Sequence, residues 1–383
     1  MGSKTFLILG GYGNVGRLLA RLLLQETDVR LVLAGRAIKQ AEAVAAQFNS
    51  LFPGNRVAAM YADASDIVSL RQAFKNVDFV VVASSTAKCA KEVAAATLEA
   101  GIDYLDVQYS TKKTAVLKSL SGEIEKDGCC FITDAGFHPG LPAAFVRYGV
   151  QFFDRLDTAI VGCLLRLDWS TVHVSEATKA EFVEELASYQ GLFYKDGAWK
   201  KASMGSTKDF IKIDFGEPFG TKLCAPIFFE EMSALPELHP SIRHTGCYIA
   251  GLNWLADLVV FPFVFVMLKL FPRSALTPMA KLMHWSWKTF SRSPYGTILK
   301  LEASGEKEGE QKSLAIRLGH QDGYWFTAIP VAACLLQYLD GSLRKPGLWH
   351  MGNIVEPDRL MKDMERMGVD VQIQNNRAYT ISG

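Results

Sequence analysis

Glycines near the amino terminus are spaced so that their backbone could hold a phosphate. The loop Gly10–Gly16 reads Gly-Gly-Tyr-Gly-Asn-Val-Gly. In this spacing Gly11 permits a tight turn, Gly13 lets the backbone approach a pyrophosphate closely, and Gly16 lets the next helix pack against the strand. The N–H groups at the start of that helix would face the phosphates, where the helix dipole favours negative charge.

The flanking elements turn this glycine pattern into a prediction of a dinucleotide site. An apolar run, Phe6–Leu9, precedes the loop, and a second run, Arg30–Ala34, follows the helical pattern. The alternative, in which the glycines only cap a helix, explains neither run. The predicted cofactor-binding residues of the loop are Gly10, Gly11, Tyr12, Gly13, Asn14, Val15 and Gly16.

The end of the second apolar run indicates which dinucleotide binds. A site for NAD usually carries Asp or Glu there, which binds the ribose 2′-hydroxyl, whereas a nearby Arg suits the 2′-phosphate of NADP. Here Gly35 and Arg36 hold the position, and Lys39 follows one turn later. A guanidinium can hold a phosphate through paired hydrogen bonds. The sequence therefore predicts NADP in preference to NAD, with a solvated surface Arg as the alternative.

The alternation of strands and helices predicts the fold class. Apolar runs alternate with helical patterns as far as Thr133, and Phe79–Ala83 is apolar throughout, as a strand buried on both faces requires. This predicts an α/β fold with a doubly wound parallel Rossmann sheet, which binds ligands at the carboxyl ends of its strands. The loops there add Asp63, Ala64, Ser84, Ser85, Thr86 and Gly136 to the predicted cofactor site. The alternative for Ser84 and Ser85 is a helix cap.

From Leu156 the pattern changes to that of a second domain. Thr158–Leu167 and Phe210–Phe215 resemble strands, Val174–Tyr189 is helical, and Gly305–Glu310 is a polar hairpin tip. We predict a second α+β domain with a mixed or antiparallel sheet.

The segment Leu252–Phe271 is strongly apolar and aromatic. No polar side chain occurs from Leu258 to Leu268, but a bilayer span takes about 20 residues, and Asp257 and Lys269 also count against one. The segment is either a core or dimer-interface helix, or a surface that contacts lipid or an apolar substrate. Peripheral membrane contact through 252–271 is therefore one of the expected partners.

Composition is that of an ordinary globular protein. The 383 residues have room for two domains, 49% of them are hydrophobic, and the net charge of +1 gives no argument for nucleic acid as a partner. The seven cysteines are scattered without a C-x-x-C pair or a Cys/His cluster. We therefore expect free thiols, no structural metal, no signal peptide and a cytoplasmic location.

Two motifs resemble those of a known family. The loop Gly10–Gly16 with Leu33–Arg36 is shared by many Rossmann proteins, whereas Asp134–Pro142, which reads Asp-Ala-Gly-Phe-His-Pro-Gly-Leu-Pro, is more specific. Together they resemble the saccharopine dehydrogenase-like (saccharopine reductase) family of NAD(P)-binding oxidoreductases. The resemblance covers residues 4 to about 150 well and the remainder in outline.

The resemblance implies an NADP-dependent oxidoreductase that transfers hydride to or from a carbonyl or imine of an amino-acid-derived or apolar small molecule. It also implies a homodimer and a carboxy-terminal helix, here Gly323–Leu339, that packs back on the nucleotide domain. The expected domains are 1–140 for NADP with that helix near 323–340, 141–322 for substrate and dimerisation, and 341–383 as a carboxy-terminal extension.

Three residues in the loops at the carboxyl edge could supply the proton that hydride transfer requires. The cofactor carries the hydride, so the protein has to orient it and to offer a general acid within hydrogen-bond reach. The predicted catalytic residues are His138, which titrates nearest to neutrality, Tyr109 and Asp134. A structural role is the alternative for His138. The alternative function is a non-catalytic NADPH-binding sensor or a membrane-surface module, because fold does not determine function.

Overall fold

The computed structural model describes residues 3–169, 179, 183, 185, 189–203, 207–250, 253, 255–271 and 274–376. The chain divides into two compact units: Met1–Leu141 with Tyr324–Met364, and Pro142–Gly323 with Glu365–Gly383. In chain order the described strands are β1 (Thr5–Leu9), β2 (Arg30–Gly35), β3 (Val57–Tyr61), β4 (Phe79–Val82), β5 (Asp103–Asp106), β6 (Cys130–Thr133), β7 (Arg155–Arg166), β8 (Leu192–Lys195), β9 (Ala198–Lys201), β10 (Ile211–Asp214), β11 (Thr221–Ile227), β12 (His244–Ala250), β13 (Gly296–Lys307), β14 (Glu310–His320), β15 (Gly347–His350) and β16 (Asp370–Asn376).

The described α-helices, in chain order, are α1 (Asn14–Glu26), α2 (Ile38–Leu51), α3 (Ile67–Ala73), α4 (Ala90–Ala100), α5 (Thr111–Ser119), α6 (Ser121–Lys126), α7 (Leu141–Val150), α8 (Leu235–Leu238), α9 (Phe261–Leu270), α10 (Leu276–Phe290), α11 (Gly323–Leu339), α12 (Met351–Ile354) and α13 (Pro357–Arg366). Two further turns of 3-10 helix cover Ala87–Cys89 and Glu230–Ala234, and a π-helical turn covers Ala256–Val260.

The first unit contains a seven-stranded sheet in the order β15-β6-β5-β4-β1-β2-β3, and every strand pair is parallel. Strand β4 is buried at every position, which explains its continuous apolar sequence. The strand order reverses between β1 and β4, and ligands bind at such a reversal, beyond the carboxyl ends of the strands. The predicted doubly wound sheet is confirmed, and β15 adds a seventh strand from beyond the part of the sequence, up to Thr133, in which strands were predicted.

Helix α11 belongs to the first unit, where its side chains pack on the sheet. Tyr338 meets the ring of Phe79 edge-on, with centroids 4.5 Å apart, and its hydroxyl donates a 2.6 Å hydrogen bond to Asp103. At the other end of α11, the ring of Phe326 stacks on Phe137. These contacts bury apolar surface and satisfy one buried carboxylate.

The segment expected as an extension, 341–383, is instead shared between the two units. Strand β15 pairs in parallel with β6 and so completes the first sheet. Strand β16 pairs antiparallel with β14 in the second unit. Both strands need a partner for their backbone N–H and C=O groups, and the neighbouring sheet edges supply one.

The second unit contains a mixed sheet in the order β10-β11-β12-β7-β13-β14-β16, to which β8 and β9 add through β12. Strands β12 and β7 are parallel, and the other pairs are antiparallel. The mixed sheet agrees with the predicted α+β domain, and the polar hairpin tip lies between β13 and β14. The helix expected over Val174–Tyr189 falls largely outside the described residues.

Candidate functional site

The glycine loop after β1 is closely packed at Gly10, Gly11 and Gly16 and less tightly packed at Gly13. A Cβ at Gly10 would lie 2.7 Å from Cβ of Ser84, one at Gly11 would lie 2.8 Å from Leu33, and one at Gly16 would overlap the carbonyl oxygen of Gly10. At Gly13 the described residues place only two carbonyl oxygens within 4 Å of such an atom, at 3.1 and 4.0 Å. No described side chain therefore covers Gly13, next to which a pyrophosphate would lie.

Helix α1 begins directly after this loop. Gly13 is its N-cap and offers no side-chain cap, and the first turn carries no acidic residue. The positive end of the helix dipole is therefore not neutralised by the chain's own carboxylates in that turn. Since no side chain of the described residues lies within 4 Å of a Cβ position at Gly13, this arrangement fits an anion at the helix start.

Tyr12 connects the glycine loop to the end of β2. Its hydroxyl accepts a 3.1 Å hydrogen bond from the N–H of Ala37, and its ring lies over Gly35. A Cβ at Gly35 would lie 2.5 Å from the Tyr12 hydroxyl oxygen and 2.6 Å from Cε1. The carboxylate that an NAD site carries at this position has no room here. Arg36 and Lys39 follow, and both are exposed.

Asp63, after β3, lies within the electrostatic reach of Arg36. Its carboxylate accepts hydrogen bonds from the N–H and the hydroxyl of Ser65, at 3.0 and 2.7 Å. These bonds lower the pKa of Asp63, and the charge of Arg36 lowers that pKa further. The neighbouring Ala64 is buried and packs in the apolar core. Asp63 is therefore ionised and stabilises the turn at Ser65. The guanidinium of Arg36, which is predicted to select NADP, acts on it electrostatically.

The loop after β4 is tied to the loop after β5 by hydrogen bonds. The hydroxyls of Ser84 and Thr86 are 3.0 Å apart, and the amide Nε2 of Gln108 donates to Thr86 at 3.0 Å and to the carbonyl of Ser84. Thr86, not Ser84 or Ser85, is the N-cap of the turn Ala87–Cys89. The structure therefore does not use Ser84 as the cap, and Ser84 lies against the glycine loop instead.

A buried ionic cluster lies at the carboxyl ends of β5 and β6. The ammonium of Lys113, fully buried in α5, donates to Asp106 at 2.6 Å, to Asp134 at 2.7 Å and to the carbonyl of Gln108 at 2.5 Å. Three acceptors match its three protons, as a buried ammonium requires. Asp134 also contacts Nδ1 of His350, at 3.1 Å. The cluster therefore connects β15 to the loop after β5.

The cluster keeps its charges despite burial. Burial alone would lower the pKa of Lys113, but Asp106 and Asp134 raise it above the ordinary value. Burial alone would raise the pKa of Asp134, but Lys113 and His350 hold it below the ordinary value. Asp106 is further hydrogen-bonded by the hydroxyls of Tyr104 and Thr133. The Asp134 carboxylate is thus stabilised as an anion by opposite charge and by hydrogen bonds.

The loop after β6 holds the remaining predicted residues in a tight turn. A Cβ at Gly140 would lie 2.6 Å from the N atom of Gly136, so the two ends of the turn touch. His138 lies between them, before a cis peptide bond to Pro139. Burial lowers the pKa of His138 to about 4, so its imidazole is neutral near pH 7. Tyr109, in the loop after β5, is 37% exposed.

The structure brings Asp134 together with two residues that sequence reasoning missed, Lys113 and His350. Lys113 carried no signal, since a lysine in a helical pattern is most often exposed. His350 is the last residue of β15, a short strand with only one buried residue, Gly347, and therefore no apolar run. Ligands of such sheets bind at the carboxyl ends of the strands, so His350 could have been predicted if β15 had been recognised as a strand.

The parallel sheet and its glycine loop define a Rossmann dinucleotide-binding domain. Comparison with known families agrees, because residues 6–127 match the family model described as the saccharopine dehydrogenase NADP binding domain. Residues 6–127 are therefore similar to the NADP-binding domain of saccharopine dehydrogenases. This match bears out the predicted resemblance and NADP as the cofactor, and it supports an NADP-dependent oxidoreductase.

One solved structure shows the same fold at low sequence identity. Apo saccharopine dehydrogenase (L-Glu forming) from Saccharomyces cerevisiae is 14% identical, with a TM-score of 0.71 over 98% of this chain and 100% of the other. A meso-dapdh mutant with DAP from Clostridium tetani is 11% identical, with a TM-score of 0.44 over 93% of this chain and 95% of the other. No curated protein sequence matches the chain.

Proposed function

We propose that the chain transfers hydride between NADP and a carbonyl or imine carbon of a small molecule, at the carboxyl edge of the parallel sheet. The observation that carries the proposal is the start of α1 at Gly13, which has no side-chain cap and no acidic residue in its first turn. Side chains at Gly10, Gly11 and Gly16 would collide with the protein's own atoms, so those glycines serve its packing. Within the described part of the chain, no side chain lies within 4 Å of a Cβ position at Gly13, and this supports a phosphate bound at the helix start.

Each part of the cofactor has candidate residues. The loop Gly10–Gly16 and the start of α1 would hold the pyrophosphate, and Arg36 with Lys39 would hold the 2′-phosphate. The hydroxyls of Ser84 and Thr86, fixed by Gln108, would lie beside the nicotinamide ribose. Bound NADPH supplies the hydride, and NADP⁺ accepts it in the reverse direction. The chain's own residues orient the cofactor and handle the proton.

The proton is proposed to pass through His350, with Asp134 as its positioning residue. The Asp134 carboxylate holds Nδ1 of His350, which favours the tautomer with Nδ1 protonated, so Nε2 can take a proton from the substrate and the resulting imidazolium can return it in the reverse direction. Lys113 keeps Asp134 ionised, so the carboxylate stays an acceptor. The side chain of His350 is 15% exposed, whereas Lys113 is fully buried. His350 is thus the accessible member of this ionic cluster.

For His138 and Tyr109, which the sequence predicts to be catalytic, we propose a role as hydrogen-bonding groups for the substrate. With a pKa of about 4, His138 is a neutral imidazole near pH 7, so it would contribute a hydrogen bond to the substrate rather than an imidazolium proton. Tyr109 has an exposed part and would act as a hydrogen-bond donor to the reacting oxygen or nitrogen. Both proposals need variants that separate cofactor binding from turnover.

Cofactor binding is tested first, by titration with NADPH and NADH. Gly13→Val places a branched side chain in the proposed pyrophosphate space and should abolish binding. Gly122→Val in α6 is the matched control, because no described atom lies within 4 Å of its Cβ position. Wild-type affinity in Gly13→Val would contradict the proposal.

Turnover is then followed as NADPH oxidation on aldehydes, alone and with amines, from amino-acid-derived to long apolar compounds. His350→Gln and Tyr109→Phe should lower kcat while NADPH affinity is unchanged. His244→Gln, in β12 of the second unit, is the matched control for the histidine change. Tight NADPH binding with no turnover on any carbonyl or imine would favour a sensor instead.

Three further properties are proposed: a homodimer, a cytoplasmic location and the class of substrate. A homodimer rests on the family resemblance, and light scattering of the purified full chain tests it. A cytoplasmic location rests on the seven cysteines, all of which are free thiols. The substrate, amino-acid-derived or apolar, is decided by the turnover panel.

A further inference from the structure

Two adjacent helices of the second unit bury one face and expose another. The described residues of α9 and its preceding π-helical turn bury Ala256, Val260, Val264 and Leu268. Helix α10 buries Met279, Met283 and Trp287 in the same apolar cluster. This cluster accounts for the packing between the two helices, which we call the α9–α10 hairpin (255–292). The residues of the buried face therefore pack against one another, and the residues of the exposed face are not part of this cluster.

The exposed face of α9 is an apolar stripe. Val259, Phe263, Val266 and Leu270 follow one another at helical spacing, and their exposed fractions are 51, 49, 55 and 63%. Such spacing places the four side chains on one side of the helix. Phe271, 51% exposed, continues the stripe. A contiguous apolar stripe on a protein surface marks an interaction site.

The exposed face of α10 carries an aromatic residue between cations. Lys281, Trp285 and Lys288 are spaced by four and three residues, so they share one side of the helix, and all three are exposed. Trp285 is 50% exposed. A tryptophan with an apolar body and a polar N–H is suited to the boundary between water and lipid.

Charge in this segment differs from charge in the rest of the chain. From 252 to 292 the sequence holds five Lys or Arg residues against one acidic residue, Asp257, a net charge of +4, whereas the whole chain carries +1. The remaining chain is therefore net negative. Basic charge beside exposed apolar and aromatic residues is the pattern of helices that lie on anionic membranes.

We propose that the α9–α10 hairpin docks on the surface of an anionic lipid bilayer, with the α9 stripe inserted between headgroups and the α10 lysines against lipid phosphates. No helix in the described part of the chain is long and apolar enough to cross a bilayer, so the contact is peripheral. A second copy fits the hairpin less well, because a symmetric pair would bring the same cations of both copies together.

The proposal is tested by flotation of the full-length chain with vesicles of phosphatidylcholine, with and without phosphatidylglycerol. Binding is expected only to the anionic vesicles and should weaken at high salt, because screening reduces the attraction. Phe263→Glu and Val266→Glu should abolish it. Val68→Glu in α3 is the matched control, since Val68 is 67% exposed outside the hairpin.

Charge reversal tests the electrostatic part separately. Lys281→Glu and Lys288→Glu should each lower the partition coefficient at least about fivefold, the factor expected for loss of one cation near an anionic surface. Lys91→Glu in α4 is the matched control, and NADPH affinity checks that each variant is folded. Equal binding to both kinds of vesicle, or no binding to either, would overturn the proposal. So would a shift from dimer to monomer in Phe263→Glu, which would identify the stripe as a chain–chain interface.

Discussion

Tyr12 and Gly35 are in contact, and that contact leaves no space for a side chain at residue 35. The Tyr12 hydroxyl is fixed by a hydrogen bond from the N–H of Ala37, and a Cβ on Gly35 would lie 2.5 Å from the hydroxyl oxygen. The acidic residue typical of NAD sites and the ring of Tyr12 therefore exclude each other. Arg36 follows directly, so steric exclusion and positive charge both favour NADP.

Replacing Arg36 with Ala should weaken NADPH much more than NADH. A hydrogen bond to a charged group contributes about 2 kcal/mol, or roughly 30-fold in affinity, which NADH does not gain because it lacks the 2′-phosphate. Calorimetric titration of both cofactors measures the ratio. Arg30→Ala, at the opposite end of β2, is the control and should leave both affinities unchanged. An equal loss for the two cofactors would mean that Arg36 does not contact the 2′-phosphate.

Gly35→Asp should not convert the site to NAD by itself. The new side chain collides with Tyr12, so we expect both cofactors to bind poorly and the unfolding midpoint to fall. In Tyr12→Ala with Gly35→Asp the ring is gone, and NADH should then bind more tightly than NADPH. Fluorescence titration of the single and double variants measures this coupling. If Gly35→Asp alone bound NADH well, the steric relationship would have no bearing on selectivity.

Lys113→Met should destabilise the first unit strongly. It leaves Asp106 and Asp134 buried without their cation, and breaking a buried pair in this way costs about 3–5 kcal/mol. Lys112→Met, at the exposed neighbouring position, is the control and should change the free energy of unfolding little. Urea denaturation gives both values. Adding Asp134→Asn to Lys113→Met should restore part of the loss, because one uncompensated charge is removed.

The stability of the chain should fall as the pH decreases from 6.5 to 4, in part because of His138. Its pKa is about 4 in the folded protein against 6.5 in the ordinary state, so the unfolded chain binds the extra proton in that window. The effect amounts to about 3 kcal/mol at pH 4 and is absent above pH 7. Denaturation of wild type and His138→Gln across this range measures it. Parallel curves for the two would show that His138 is not buried as a neutral ring.

Much of the first unit could be predicted because its signals are local. Each of these signals spans only a few residues of the chain. They are the loop Gly10–Gly16, the apolar strand Phe79–Ala83 and the pair Gly35-Arg36. The apolar run predicts a strand buried on both faces. Glycine spacing next to a strand and a helix predicts the phosphate loop. The untested assignments, among them the catalytic roles, the dimer and the location, stay predictions.

The ionic cluster could not be predicted in the same way. Asp106, Lys113, Asp134 and His350 meet only because β15 pairs with β6, and β6 with β5. Nothing local marks Lys113 as buried, because a lysine enters a core only when acceptors from other segments surround its ammonium. The sequence of residues 252–271 likewise did not predict which side of the helix is buried. The packing of Val264 and Leu268 in one cluster with residues of α10 decided which face is exposed.

The sequence by itself determined the parallel sheet, the phosphate loop and the preference for NADP, since those depend on backbone conformation and residue type over short stretches. The tertiary structure decided which charges are buried together, why residue 35 has to be glycine, and which side of the apolar helix faces water. These are contacts between residues far apart in the chain, and their energies exist only once the strand order is fixed.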